Sequence, residues 1–373
     1  MAETKSARLV SLDLLRGLDM LLLTVVGPFF TALNEAVGLP DAVMRQFHHA
    51  WGGFTLWDLI MPLFIFMCGA AVPFALGRRL ENGRTDAKYW IHVAKRFALL
   101  WFLGMVAQGR LLTLDLSQIS FFDNTLQTIA CGYLVAAIAL PVKSRKVRIA
   151  LPMVLALAYA AILHFGGDYS QTGNAAAKFE TWFVSLYSPA GSRVLDMADP
   201  GYTWWATIPM FGAMTLCGLE ASNILMGEGS GVVRAARLAL MGAALLAVGW
   251  ALSPWIPPIK HIYTLTFTAQ AMGWCCLLYA ALHFVGDVLG WRRGTWLIVL
   301  FGQTSLMAYM IGDVFKCVPR AFGAKAASGF PHAFGEASAP LGRWFFAAAF
   351  LVVALTYIRR ARAARRVPKA KEA

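Results

Sequence analysis

Two histidines, a tryptophan and an aspartate stand at the mouth of an apolar run in RQFHHAWGGFTLWDLIMPLFIFMCGAAVPFAL, residues 45 to 76. Dissolving in lipid requires none of His48, His49, Trp51 or Asp58. An imidazole, with an ordinary pKa of about 6.5, takes or gives a proton near neutral pH. It can also carry an acyl group as a covalent intermediate. Asp58 has two readings. A carboxylate in the first turn of a helix is favoured by the helix dipole, and the same carboxylate can orient an imidazole.

A second polar set lies far away in sequence. Lys260 and His261 fall in the short connection SPWIPPIKHIYT, and Thr264, Thr266, Thr268 and Gln270 follow as a polar stripe unsuited to lipid. Lys260, His261 or a threonine hydroxyl can stabilise an oxyanion, so the two sets together suit a polar molecule handled at one rim of a membrane protein. A third set, Asp13, Arg16 and Asp19, is spaced three apart on one helical face. Ionisable groups inside a bilayer cost about 2.5–3.5 kcal/mol each. These three read either as an internal ion pair orienting the helix or, through Arg16, as a partner for an anionic, phosphorylated donor. The six cysteines show no CxxC and no metal-ligand spacing, and read as small apolar core residues.

The elements that must position these groups are membrane helices. The chain has 373 residues, of which 58% are hydrophobic and 14% charged; soluble domains average roughly 25% charged. Ten apolar stretches, near 11–33, 57–77, 94–112, 123–141, 147–166, 202–221, 233–255, 262–284, 295–315 and 342–360, predict an all-α polytopic protein forming one domain over 1–373. Asp13, Arg16 and Asp19 interrupt the first stretch, and no small-residue cleavage site follows it, so it does not read as a cleaved signal. The net charge of +13 resides mainly in short connections and in the basic tail at 359–373. It therefore points to topology and anionic lipid, not to nucleic acid. Most of the 33 Lys and Arg residues fall on one side of the predicted spans, which places both termini in the cytoplasm. Five of the seven histidines, His48, His49, His164, His261 and His332, then face outward with Asp58. The longest outer connection, 167–201, contains FETWFVSLY, which either lies in the interface or re-enters.

Several stretches, in order along nearly the whole chain, resemble the heparan-α-glucosaminide N-acetyltransferase family and its bacterial relatives. RLVSLDLLRGLDMLLL (8–23) is similar to the family opening. HHAWGGFTLWDLIMPLFIFMCGAAVPFAL (48–76) resembles the pattern His-x-x-Trp-x-Gly-x-Thr-x-x-Asp-Leu-x-x-Pro-x-Phe-x-Phe-x-x-Gly and is the most specific of them. TLQTIACGYL (125–134), DPGYTWWATIPMFGAMTLCG (199–218), PPIKHIYTLTFTAQAMGW (257–274) and FGQTSLMAYM (301–310) are weaker matches.

The resemblance implies transfer of an acetyl group from cytosolic acetyl-CoA to an amino sugar or glycan beyond the membrane. It matches the family histidine to His48, not His49. The expected site then has His48 as general base or acyl carrier and Asp58 as its orienting carboxylate. His49, Trp51, Lys260, His261, Thr264 and Asp199 surround the acceptor. Asp13, Arg16 and Gln127 line the donor path, and no metal takes part. Membrane lipid is a further partner, a homodimer is one arrangement the sequence allows, and a bacterial inner membrane is the expected setting. Gly27, Gly52, Thr128 and Thr304 stand where the family carries polar or larger residues, and the Glu of its Asp-Pro-Glu-Gly segment is absent after Pro200. The rival readings are a transporter or flippase of a glycan or lipid-linked solute, and a scaffold that has lost its chemistry.

Overall fold

A computed structural model of the chain describes residues 9–80, 85–109, 111, 121–186 and 203–364. Among them every regular element is a helix. In chain order the principal helices are α1 (Val10–Val37), α2 (Trp57–Arg79), α3 (Ala87–Ala107), α4 (Thr125–Ala139), α5 (Arg145–Gly166), α6 (Ala175–Ser185), α7 (Trp205–Met226), α8 (Gly231–Leu252), α9 (Leu265–Val288), α10 (Trp296–Gln303), α11 (Ser305–Val314), α12 (Cys317–Ala326) and α13 (Glu336–Ala364). Eight of these are long and apolar enough to cross a membrane: α1, α2, α3, α5, α7, α8, α9 and α13.

Two of the ten predicted spans take a different form. The stretch near 295–315 is a pair, α10 and α11, bent by 87°. The break falls at Thr304, whose backbone leaves the helical region and whose hydroxyl bonds back to the Leu300 carbonyl at 2.7 Å. Such back-bonding by a hydroxyl competes with the helix ladder. The stretch near 123–141 is a helix of only 15 residues. At 1.5 Å per residue that is roughly 22 Å, short of a bilayer core of roughly 30 Å. Nearly all its residues are buried against protein, so this helix does not have to meet lipid along its length.

Helix starts follow local side-chain chemistry. The side chains of Asp86, Asn124, Ser144, Asn174 and Ser230 accept backbone N–H bonds at the first turns of α3, α4, α5, α6 and α8. Each satisfies donors that a helix N-terminus leaves without a partner.

The chain divides into two compact units. The first holds His49–Phe284; the second holds Leu9–His48 and the chain from Val285 onward. In the first unit α2 is the central helix, packed on α7, α4 and α9. Its approach to α7 is a backbone contact. A Cβ added at Gly69 would meet the Thr215 carbonyl oxygen at 1.7 Å, and one at Gly218 would meet that of Phe66 at 1.9 Å. Small residues at such crossings let apolar helices associate without a hydrophobic driving force. The α8–α9 hairpin packs beside them, with Gln270 donating to the Gly249 carbonyl and to Ser253 across the pair. The polar stripe of α9 is thus turned inward: Thr266, Thr268 and Gln270 are buried.

Residues 179–185 of the FETWFVSLY stretch form part of α6, with Phe179 and Trp182 exposed on one side and Glu180 and Val184 buried on the other. In the second unit α1 packs on α10, and α12 on α13. Asp287 caps α1 by accepting the N–H groups of Val10 and Ser11, and Trp344 donates its indole N–H to the Val25 carbonyl.

Candidate functional site

The end of α2 that carries Asp58 is built by its own sequence. Thr55 and Asp58 have the spacing of a helix-start box. The Asp58 Oδ2 accepts the Thr55 N–H at 3.0 Å and its hydroxyl at 2.8 Å, while the Asp58 N–H donates to the Thr55 carbonyl. That fixes the carboxylate and aims Oδ1 elsewhere. Oδ1 lies 2.7 Å from His49 Nδ1 and 3.6 Å from Lys260 Nζ. Asp58 and Lys260 are almost wholly buried, with 2% and 3% of their side chains exposed, whereas the His49 side chain keeps 29%. His49 is therefore the member of the trio that meets the outside.

Lys260 Nζ is 3.0 Å from both ring nitrogens of His49. Equal distances to both place the amine over the ring, not along one lone pair. Burial is the main cause that lowers the Lys260 pKa, to about 8, against the opposing pull of Asp58. Burial also leads in lowering that of His49; the bond to Asp58 opposes it, and Lys260 and His261 add to the lowering. At neutral pH the imidazole is thus uncharged, its Nδ1–H donated to Asp58, with Nε2 as the basic nitrogen.

Lys260 reaches this position because its connection is rigid. Thr264 Oγ1 accepts the Ile259 N–H and donates to the Pro257 carbonyl, and the Thr264 N–H returns to the Ile259 carbonyl. The Tyr263 N–H closes a turn onto the Lys260 carbonyl, and Tyr159 donates its hydroxyl to the Ile262 carbonyl. Tyr263 itself sits at a φ of 46°, a left-handed conformation costly for a bulky side chain. Its buried ring packs between Phe211 and Phe267, and its hydroxyl reaches the Met61 sulfur on α2.

A second layer flanks the trio. Trp51 stacks on His261, ring centroids 5.2 Å apart and 17° from parallel, and its indole N–H donates to the Tyr169 carbonyl at 3.1 Å. The Gly53 N–H donates to the Pro258 carbonyl, which ties the loop before α2 to the connection that carries Lys260. Glu180 secures the neighbouring helix α6 by accepting the Trp205 N–H at 2.8 Å. Burial pushes its pKa up to about 8.

Of the residues singled out in the sequence, Asp58, His49, Trp51, Lys260 and His261 gather at one place. Thr264 is there too, but its hydroxyl is occupied within its own turn. The imidazole set on Asp58 belongs to His49, where the motif suggested His48. His48 ends the short helix Arg45–Phe47 in an extended conformation, is exposed, and falls in the second unit. Gln127 is held inside the first unit. Its side chain donates to the Phe121 carbonyl and the Met105 sulfur and accepts from the Asp123 N–H and Gln108. It pins the approach to α4, which leaves little of it for a donor.

Asp13 and Arg16 lie on α1 in the second unit, the first buried and the second partly so. Asp19 is buried with neither carboxylate oxygen hydrogen-bonded, so the suggested ion pair does not extend to it. Asp199 lies outside the described residues. Among the described residues no cluster of three or more His, Cys, Asp or Glu side chains could hold a metal ion. Sequence reading missed Thr55, Tyr159, Tyr263 and Glu180. Of these only Thr55 carried a signal, the Thr-x-x-Asp spacing at a helix start.

Residues 8–177 match the family model described as a domain of unknown function, DUF5009. The match includes α1 to α5, and with them Trp51, His49 and Asp58, but not the connection that bears Lys260. Among curated proteins, none matches the chain.

Proposed function

We propose that the chain is a membrane acyltransferase. It moves an acetyl group from acetyl-CoA in the cytoplasm to the amine or hydroxyl of an amino sugar or glycan on the outer side. The observation that carries this reading is the Asp58–His49–Lys260 trio at the end of α2, a carboxylate-oriented neutral imidazole with a buried amine against it. The likeness of residues 48–76 to the acetyltransferase motif supports the same chemistry, with His49 taking the part that the motif assigned to His48.

In this reading His49 Nε2 accepts the proton of the acceptor as its nitrogen or oxygen attacks the thioester carbonyl. Asp58 holds the ring and stabilises the imidazolium that forms. Lys260, in its protonated form, stabilises the oxyanion. The C–S bond then breaks, the acetyl group stays on the acceptor, and the CoA thiolate takes the proton back. In the relay version His49 carries the acetyl group between the two half-reactions.

The test is release of CoA by the purified full chain given acetyl-CoA and glucosamine. His49→Ala is expected to lower the sugar-dependent rate by about 10²–10⁴-fold, and His48→Ala by much less. Equal losses for the two histidines, or sugar-dependent release that His49→Ala leaves intact, would refute the assignment. Labelled acetyl retained on His49 without acceptor selects the relay.

The break between α10 and α11 favours a second reading, transport without chemistry, because broken helices mark solute paths in transporters. Uptake of unmodified sugar into proteoliposomes, with no CoA released, would establish it.

A further inference from the structure

The far end of α2 carries chemistry that the trio does not use. Arg79 is the last residue of α2, and His92 and Arg96 lie four apart on one side of α3. His92 is within electrostatic reach of Arg79, Lys95 and Arg96. The Arg96 guanidinium lies over the Tyr133 ring of α4, 4.8 Å from its centroid, and Arg79 also acts on that tyrosine.

Two things about this cluster are incomplete. Among the described residues none of Arg79, His92 and Arg96 has an ion-pair partner, and Asp86, the acid between α2 and α3 among those residues, is occupied in capping α3. The Tyr133 hydroxyl is buried with no hydrogen-bond partner, whereas the neighbouring Tyr89 donates to the Ala137 carbonyl at 2.7 Å. Arginines that only set topology extend their heads into water or lipid headgroups. Arg96 instead lies against a ring, beside a hydroxyl that has been stripped of water.

We propose that Arg79, His92, Arg96 and the Tyr133 hydroxyl form an anion subsite that takes a phosphate group. Two guanidinium forks and a phenolic donor match phosphate oxygens, and the Tyr133 hydroxyl gains there the partner it lacks. Resting on the acyl-transfer reading, the ligand is the phosphorylated nucleotide end of the acyl-CoA donor, held at the end of α2 opposite Asp58. A phospholipid headgroup offers the same phosphate chemistry, and the experiment separates the two.

The full chain is reconstituted in nanodiscs of zwitterionic lipid, and binding of unacylated CoA is measured by calorimetry. Arg79→Ala and Arg96→Ala are each expected to weaken binding about tenfold or more. Arg96→Lys, which keeps the charge and loses the fork, should fall between. Tyr133→Phe should weaken binding several-fold while raising Tm, since it removes a buried unsatisfied hydroxyl. A Tyr133→Phe variant that binds CoA like the parent removes the hydroxyl from the site.

If CoA binding is unchanged in both alanine variants but anionic phospholipid no longer copurifies with them, the subsite stands with lipid as the phosphate source. If neither CoA nor lipid retention changes, the proposal is overturned. Arginine-dependent CoA binding without any acyl transfer would sustain the subsite and refute the acyltransferase reading. Full-rate transfer by the alanine variants would do the reverse.

Discussion

The two ends of α2 solve opposite problems. At the Asp58 end, the buried charges have partners: the carboxylate takes Thr55 twice, His49 and Lys260. At the Arg79 end, cations gather with no ion-pair partner among the described residues, and the Tyr133 hydroxyl is left unsatisfied. A buried charge is tolerated when paired and hydrogen-bonded. The first end is thus a preorganised cluster whose parts support each other, and the second is the end at which we propose that charge comes from an anionic ligand. Mutations should therefore destabilise the first end and leave the second almost untouched.

The largest expected effect breaks the trio. Asp58→Asn leaves the Lys260 ammonium buried without a counter-charge, which costs about 3–5 kcal/mol. Arg79→Gln, which removes no partner, should stay within about 0.5 kcal/mol. Thermal unfolding in detergent measures both, and comparable losses at the two ends would erase the contrast. Adding Lys260→Met to Asp58→Asn should restore most of the stability but none of the activity.

A smaller effect tests the buried amine through pH. The Lys260 pKa is lowered from 10.5 to about 8 in the folded chain. Between those values the unfolded chain binds the extra proton, so stability rises with pH across that window. Below it both states are protonated and the burial cost is fully present. From pH 7 to pH 10 the parent should therefore gain Tm relative to Lys260→Met. A constant difference between the two would mean that the amine is not desolvated.

The smallest effect concerns the flanking layer. Trp51→Phe keeps a ring on His261 but loses the bond to the Tyr169 carbonyl, at a cost of about 0.5–1.5 kcal/mol. A loss beyond that would show that the stack itself holds the loop.

Helix positions were legible because an apolar run long enough for a bilayer has few other uses. All ten predicted spans have a helix, and the Thr55/Asp58 helix start could be read from spacing alone. The choice between His48 and His49 could not. Neighbouring residues of an extended segment point to opposite sides, and which one meets Asp58 depends on where the loop before α2 is tied to Pro258. The break at Thr304 was hidden for a similar reason: the apolar composition runs straight through it, and only the local backbone departs from the helix.

Composition and charge by themselves determined that the regular elements among the described residues are helices, that eight of these are long and apolar enough to span a membrane, and that titratable groups stand at helix mouths. Hydropathy is additive along a sequence, so those properties need no partner. The tertiary structure alone decided that Asp58, His49 and Lys260 form one cluster. It also decided that Gln127 and Thr264 serve the scaffold, and that Arg96 covers Tyr133. The trio and the Arg96–Tyr133 pair are contacts between segments far apart in the chain, set by glycine-mediated helix crossings and a strained turn at Tyr263. Thr264 is taken up within its own turn and Gln127 partly by the loop before its helix, through backbone paths that a linear pattern does not mark.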